Sequence, residues 1–420
     1  MLRYLVGYLS YIRSFSTDAK LYLWSSFLGS VASGLTQVVF NLYLLRLGYE
    51  ESFLGMLIFY TSMAGVVFAL PAGRVSDHFG RRKALLVSGA VGAGGVLAQV
   101  LLPVPGVLLA AAVLSGGAWT VSMVTSAPLL VETSRDHERA HLFGLHSALM
   151  MGSWVVGSNL GGLLPRFFGG LYGVGQEAAL PLQATLLVGV GLWLAALVPL
   201  FGLRETTCGR PPVRTAGSLW WPRLSAPRLT LKILIPTVLT GLGAGMIIPL
   251  QNVFMDQYLG ATPAQIGLIF SIGSLLTGLG ALVAPLLAER WGKVRAAVGS
   301  QFLSLPFLAV MGLVPHLGVY AVASLIRGAL MNLANPLITN FQMEIVPAHE
   351  RATVNSLINM CWNLGWAFCG WAGGWVMQNI SYTLPYGITF VLYALAVALF
   401  YRFFRAYEPV PGAGRGRAAA

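Results

Sequence analysis

The sequence predicts an all-α membrane protein, with twelve transmembrane helices arranged as two pseudo-symmetric six-helix bundles. Three observations carry this. Of 420 residues, 56% are hydrophobic and only 10% are charged, whereas soluble domains carry about 25% charged residues. Apolar stretches of about 20 residues, the length that crosses about 30 Å of hydrocarbon, recur along the whole chain. A single register, an offset of 212 residues, relates the first half to the second.

Taken in order, residues 1–20 hold Leu2, Leu5, Leu9 and Ile12 at helical spacing. They form an expected amphipathic segment on the cytoplasmic membrane surface, with no cleavable signal peptide. Spans are expected near 21–47, 52–72, 83–103, 107–131, 142–164 and 180–203, so residues 21–203 make the first bundle. The polar stretch 204–229 reads as a cytoplasmic central loop. Six more spans follow near 230–258, 263–288, 294–314, 317–343, 352–377 and 384–404, making a second bundle over 230–405. Residues 406–420 are expected to be a disordered cytoplasmic tail. Fifty glycines and eleven tryptophans fit this picture, because Gly permits close helix approach in lipid and Trp favours the interface.

The net charge of +12 would suggest nucleic acid if the cations clustered on a soluble face. They fall instead in alternate loops. With the N-terminus inside, all of the 26 Lys and Arg except Arg46, Arg166 and Arg327 lie on the cytoplasmic side. The charge therefore marks topology, with both termini cytoplasmic, and excludes a nucleic-acid partner. Cys208, Cys361 and Cys369 form no disulfide framework, and the last two, in an apolar run, read as packing residues.

The repeat pairs the tetrapeptide His137–Ala140 with the identical His349–Ala352, and also Gly48 with Gly260, Gly55 with Gly267, and Ser62 with Ser274. Gly80 pairs with Gly292, Glu132 with Glu344, and Gly161-Gly162 with Gly373-Gly374. Composition alone does not favour repeated charges in a membrane protein.

Between spans two and three the chain reads GRVSDHFGRRK, Gly73 to Lys83. Gly73 would let two helices approach closely, Asp77 could accept hydrogen bonds at a helix N-terminus, and Gly80 permits a tight turn. Arg81, Arg82 and Lys83 anchor the next span inside. The second half carries a decayed copy, Pro285 to Arg295, with Glu289 in place of the Asp. This pattern resembles the cytoplasmic signature of the major facilitator superfamily, and with the spans, the repeat and the central loop the resemblance covers essentially the whole chain. It implies secondary transport by alternating access around a midplane site between two halves. It also implies that Gly73, Asp77, Gly80, Arg81 and Arg82 gate the cytoplasmic side, with Glu132 and Glu344 in salt-bridge networks that form and break between states. Spans one, four, seven and ten are implied to line the cavity, with help from five and eleven. Span five carries GSNLGG, Gly157 to Gly162, similar to the antiporter signature except that Ser158 replaces Pro. The membrane-embedded Arg of span four in drug–proton exchangers has no counterpart here.

An ionisable side chain at the bilayer centre costs about 2.5–3.5 kcal/mol on insertion scales, so each is a functional candidate. Arg327 lies mid-span, and Asn332, Asn335 and Thr339 extend a polar stripe along span ten. Arg327 suits an anionic or carbonyl-bearing substrate, a coupling role, or a structural pair with backbone carbonyls or Asp256. Gln251, Asn252 and Asp256 lie on one side of span seven, and Asp256 and Arg327 are the candidates for proton coupling. Gln37 and Asn41 continue a stripe from Ser26 and Ser30 in span one, and Asn359 stands between Asn355 and Asn363 in span eleven. These amides are expected to face a cavity. His146 reads as a structural hydrogen-bonding residue, and Trp154, Trp362 and Trp366 as packing residues or platforms for a flat substrate.

No enzyme motif occurs: there is no HExxH, no G-x-S-x-G and no Cys/His cluster. No repeated filter loop points to a channel. The expected protein is a monomeric secondary transporter in the cytoplasmic membrane, without cofactor or metal. Its partners are the bilayer, a small-molecule substrate and protons as coupling ion. Efflux of a small amphipathic compound and uptake of a small polar or anionic metabolite both remain open.

Overall fold

A computed structural model describes residues 15–204 and 225–407. The expected N-terminal segment up to residue 14, most of the central loop with Cys208, and the tail from 408 lie outside the described residues. Among the described residues there are twelve long helices. In the first half these are α1 (Thr17–Arg46), α2 (Glu51–Phe79), α3 (Arg81–Leu101), α4 (Pro105–Glu132), α5 (Arg139–Tyr172) and α6 (Ala179–Phe201). The second half has α7 (Pro227–Ile247), α8 (Pro263–Trp291), α9 (Lys293–Leu313), α10 (Leu317–Ile345), α11 (Arg351–Asn379) and α12 (Leu384–Phe404).

Among the described residues ten helical segments are long and apolar enough to cross a membrane, and of the twelve long helices α5 and α11 are the two not among them. Each carries polar side chains along its length, among them Arg139, His146, Asn159 and Arg166 in α5 and Asn355, Asn359, Asn363 and Gln378 in α11. They are repeat counterparts, so the dilution of apolarity is itself duplicated.

Span seven departs from a regular helix. After Ile247 the chain continues as a 3₁₀ turn (Ile248–Leu250), one α-helical turn (Gln251–Val253) and a π-helical turn (Phe254–Tyr258). Pro249 lacks an N–H and its ring crowds the carbonyl four residues back, which forces the ladder to change register.

The chain divides into two compact units. Among the described residues, one gathers Phe15 to Tyr49, Tyr60 through α6, and Thr262–Ser271; the other gathers Glu50–Phe59, the start of α7 to Ala261, and Ile272 to Tyr407. The first turns of α2 thus pack with the second unit and the first turns of α8 with the first.

In the first unit α1 packs on α5 and α6, and α3 packs on α4 and α6. In the second, α7 packs on α11 and α12, and α9 on α10 and α12. The repeat is geometric as well as textual. Gly48 and Gly260 both take positive φ, 91° and 66°, and so do Gly80 and Gly292, 89° and 83°. Only glycine holds such turns without strain. Leu129 and Leu142 sit in the apolar core of the first unit, and their counterparts Phe341 and Val354 in that of the second.

The paired glycines of α5 and α11 make close helix crossings. A Cβ on Gly162 would lie 2.9 Å from the carbonyl oxygen of Pro263 and 3.1 Å from the Cα of Gly267. A Cβ on Gly374 would overlap the carbonyl of Glu51 and lie 3.2 Å from the Cα of Gly55. Backbone against backbone at this spacing is the small-residue packing that helices use in lipid.

Candidate functional site

The turn between α2 and α3 is built around Arg81. Its side chain is 9% exposed; Nη1 lies 2.6 Å from Asp77 and Nε 3.2 Å from Glu132 at the end of α4. Nη1 also donates to the hydroxyl of Ser76 at 2.7 Å. Gly80 supplies the positive φ that brings Arg81 back over the last turn of α2. Arg82 donates to the carbonyls of Leu200 and Phe201 at the end of α6. The repeat reproduces the pair: Lys293, the counterpart of Arg81, is ion-paired with Glu344, the counterpart of Glu132. These side chains are 34% and 61% exposed, so this pair is solvated where the first is enclosed.

Two details differ from expectation. A Cβ on Gly73 would meet nothing within 4 Å, so the close helix approach expected there is not made in this structure. Asp77 does not cap a helix N-terminus; it belongs to the last turns of α2 and pairs forward to Arg81 four residues on.

At the loop before α11, Glu350 accepts from both the amide (2.5 Å) and the hydroxyl (2.6 Å) of Ser225. These bonds hold its carboxyl below the usual carboxylate range. Its counterpart Glu138 accepts from the amide of Arg135 at 3.1 Å.

At the opposite ends of the helices, Gln378 of α11 accepts from the amide of Ser52 at 3.1 Å and donates to Glu50. Tyr382 donates to Glu51. Burial, followed by the neighbouring carboxylates of Glu51 and Asp256, pushes the Tyr382 hydroxyl far above its ordinary value. Asp256 lies in the π-helical turn, buried, and accepts from Gln257 at 2.6 Å. In the first unit Asn159 of α5 donates to Ser271 of α8.

Arg327 is only 7% exposed, and the structure surrounds it with aromatic rings. Its guanidinium carbon lies 5.5 Å from the ring centroid of Tyr393. The hydroxyls of Tyr320 and Tyr386 are 3.0 Å apart, and Phe254 packs on both rings at 5.3 and 4.5 Å. Gln251 is hydrogen-bonded to Tyr320. Among the described residues Arg327 forms no ion pair, with Asp256 or any other carboxylate, and its Nε has no hydrogen-bond partner.

Asn335 donates to Asn332 at 3.2 Å, and Asn332 to the Gly328 carbonyl at 2.9 Å and toward Thr277 at 3.4 Å. Asn335 is exposed while Arg327 is buried, so the residues of the expected stripe on α10 do not share one environment. Asn252 is buried and accepts from the amide of Val253. Asn355, Asn359 and Asn363 are all exposed along one face of α11, with Asn359 turned onto the carbonyl of Asn355. Gln37 and Asn41 are half-buried in α1. Ser26 meets His146 at 3.0 Å, and the imidazole stacks on Tyr22, which matches the structural reading of that histidine. Ser158, standing where the antiporter signature has Pro, is buried without a partner for its hydroxyl among the described residues.

Sequence reasoning missed the tyrosines around Arg327. A signal existed: Tyr320 lies seven residues before Arg327, and Tyr386 and Tyr393 are seven apart, each spacing returning to one helix face. Gln378 and Tyr382 had no such periodicity to reveal them.

A family model described as the Major Facilitator Superfamily matches residues 22–231 and 233–420. The class G tetracycline resistance protein of Vibrio anguillarum is 27% identical over 257 residues, 59% of this chain and 59% of that protein. The niacin transporter NiaP of Acinetobacter baylyi is 26% identical over 125 residues, 30% of this chain and 28% of that one. The aligned region thus spans about three-fifths and under a third of these relatives. The crystal structure of a bacterial homologue of the iron transporter ferroportin, in an inward-facing state, superposes with a TM-score of 0.73 at 17% identity, covering 92% of this chain and 98% of that one. At that identity the likeness is one of fold. The family match over nearly the whole chain, the duplicated helices and the duplicated ion pair make this chain a multi-pass membrane transporter that belongs to the Major Facilitator Superfamily.

Proposed function

We propose that the protein is a secondary active transporter that moves a small amphipathic compound out of the cell by alternating access, coupled to protons. In this reading it works as a monomer in the cytoplasmic membrane, with both termini on the cytoplasmic side. The observation that carries the reading is the ion-pair set of Asp77, Arg81 and Glu132 and its weaker counterpart, Lys293 with Glu344. A transporter that cycles needs contacts that hold one state firmly yet exchange at modest cost. A half-exposed pair is worth about 0–1 kcal/mol, and an enclosed one costs more to break from one side. The partial likeness to a tetracycline resistance protein supports export. Asp256, buried in a π-helical turn, is the proposed proton carrier.

A second reading, uptake of a small anionic metabolite, is favoured by Arg327. A buried guanidinium without a carboxylate partner among the described residues, set among tyrosines, suits an anionic or carbonyl group. The partial likeness to a niacin transporter agrees with it.

The test is transport by purified protein in proteoliposomes under an imposed pH gradient, with tetracycline and nicotinate as probes. Movement of tetracycline against the proton flux supports export, and movement of nicotinate with it supports uptake. Asp256→Asn blunts the response to the gradient. Unchanged gradient dependence in that variant removes Asp256 from the coupling role.

A further inference from the structure

A cavity of about 420 Å³ lies where α7 begins and α12 has just ended, lined by Ser225, Arg228, Leu229, Lys232 and Tyr407 among others. Arg228 and Lys232 are four residues apart on one face of α7, both exposed, and neither forms an ion pair among the described residues. Tyr407 is exposed at the far wall. Below the cavity the two helices close over an apolar core containing Ile233, Phe400 and Phe404. The cavity thus sits at the level where apolar helix surface gives way to charge, which in a membrane is the headgroup layer.

The two exposed cations are open to an anion, and the neighbouring sequence supplies few carboxylates. The segment leading into the cavity, 204–224, carries Arg204, Arg210, Arg214 and Arg223 against Glu205 alone. The segment leaving it, 408–420, carries Arg415 and Arg417 against Glu408. Arg402 and Arg405 add charge at the end of α12. The nearby carboxylate, Glu350, already accepts from the Ser225 amide and hydroxyl. Both flanking segments are net cationic in sequence, a composition that attracts anions to this end of the chain.

The geometry points to a binding site for the phosphate headgroup of an anionic phospholipid in the leaflet that faces the basic loops, held by Arg228 and Lys232 beneath Tyr407. Two cations at the headgroup layer suit a phosphodiester, and the apolar helix surface beside them suits its acyl chains. Trp220 and Trp221, just before the cavity in sequence, are residue types that favour the same layer. The inference depends on the membrane embedding but on neither substrate nor direction of transport, so it stands or falls separately from the proposed function.

The experiment is native mass spectrometry of the full chain exchanged with phosphatidylglycerol or phosphatidylcholine. Wild type retains phosphatidylglycerol in preference, and Arg228→Gln with Lys232→Gln lowers that retention by about fivefold for each cation removed. The charge-keeping pair Arg228→Lys with Lys232→Arg retains it, as does Arg290→Gln with Arg295→Gln in another basic loop. Equal retention of the two lipids by wild type, or unchanged retention in the first double variant, overturns the proposal. A thermal shift with inorganic phosphate as large as that with short-chain phosphatidylglycerol overturns the assignment to lipid. Should the double variant fail to fold, raised salt applied to wild type decides: release of phosphatidylglycerol supports the headgroup contact and indifference to salt overturns it.

Discussion

The Nε of Arg81 lies 3.2 Å from the Oε1 of Glu132, and the pair recurs 212 residues later as Lys293 with Glu344. The two pairs share position and differ in burial. Arg81 is enclosed and also holds Asp77, whereas Lys293 and Glu344 are largely solvated.

Removing Arg81 therefore costs more than removing Lys293. Breaking a buried pair costs about 3–5 kcal/mol. Because Asp77 is 50% and Glu132 25% exposed, the expected cost of Arg81→Gln falls to about 1–3 kcal/mol. Lys293→Gln is expected to cost less than about 1 kcal/mol. Melting temperatures of the two variants in one detergent check this, and equal shifts count against it.

Asp77→Asn keeps the shape of the turn and weakens its charge interaction with Arg81. Transport rate is expected to fall while substrate affinity changes little, because the turn holds no candidate substrate residue. Binding by thermal shift beside transport in proteoliposomes separates the two. A large loss of affinity with normal cycling contradicts the gate assignment.

Gly73 and Gly374 are expected to respond oppositely to alanine. Gly73 lies within α2 with open space around its Cβ position, so Gly73→Ala leaves the melting temperature unchanged or slightly raised. Gly374→Ala drives a methyl group into the carbonyl of Glu51 and is expected to destabilise by about 1–3 kcal/mol. Stability measured for both, at matched protein concentration, decides the point.

Glu350 predicts a pH effect with a definite sign. Its folded-state carboxyl is held below the unfolded value by Ser225. The resulting stabilisation is fully present above the unfolded carboxylate pKa, about 4.3, and is lost as pH falls through the lower folded value. Ser225→Ala should remove part of it. Melting temperature followed from neutral to acid pH then declines less steeply in Ser225→Ala than in wild type; identical acid limbs would argue that the bonds contribute nothing.

The repeat was legible in the sequence because its elements have few substitutes. Gly48, Gly80, Gly260 and Gly292 occupy positive-φ turns, and Glu132 and Glu344 answer to basic residues in fixed loops. The break in α7 was less legible, since Pro249 sits within an apolar run and its effect depends on whether neighbours compensate. The setting of Arg327 was hidden for a different reason. Its tyrosines come from two helices, α10 and α12, whose uniform apolarity masks which face is which, and only the packing of α10 against its neighbours buries Arg327 while leaving Asn335 exposed. The joining of Glu51 to Tyr382 links residues 331 apart in sequence, and nothing local in either segment announces it.

The central claim is that the chain carries its substrate by alternating access. Solute counterflow tests this most directly: proteoliposomes are loaded with an unlabelled compound selected by thermal shift, all ion gradients are collapsed, and a trace of labelled compound is added outside. An alternating-access carrier predicts transient accumulation of label above its external concentration, an overshoot that Asp77→Asn reduces. Entry of label that rises only to the external concentration, with no overshoot in wild type, would contradict the account.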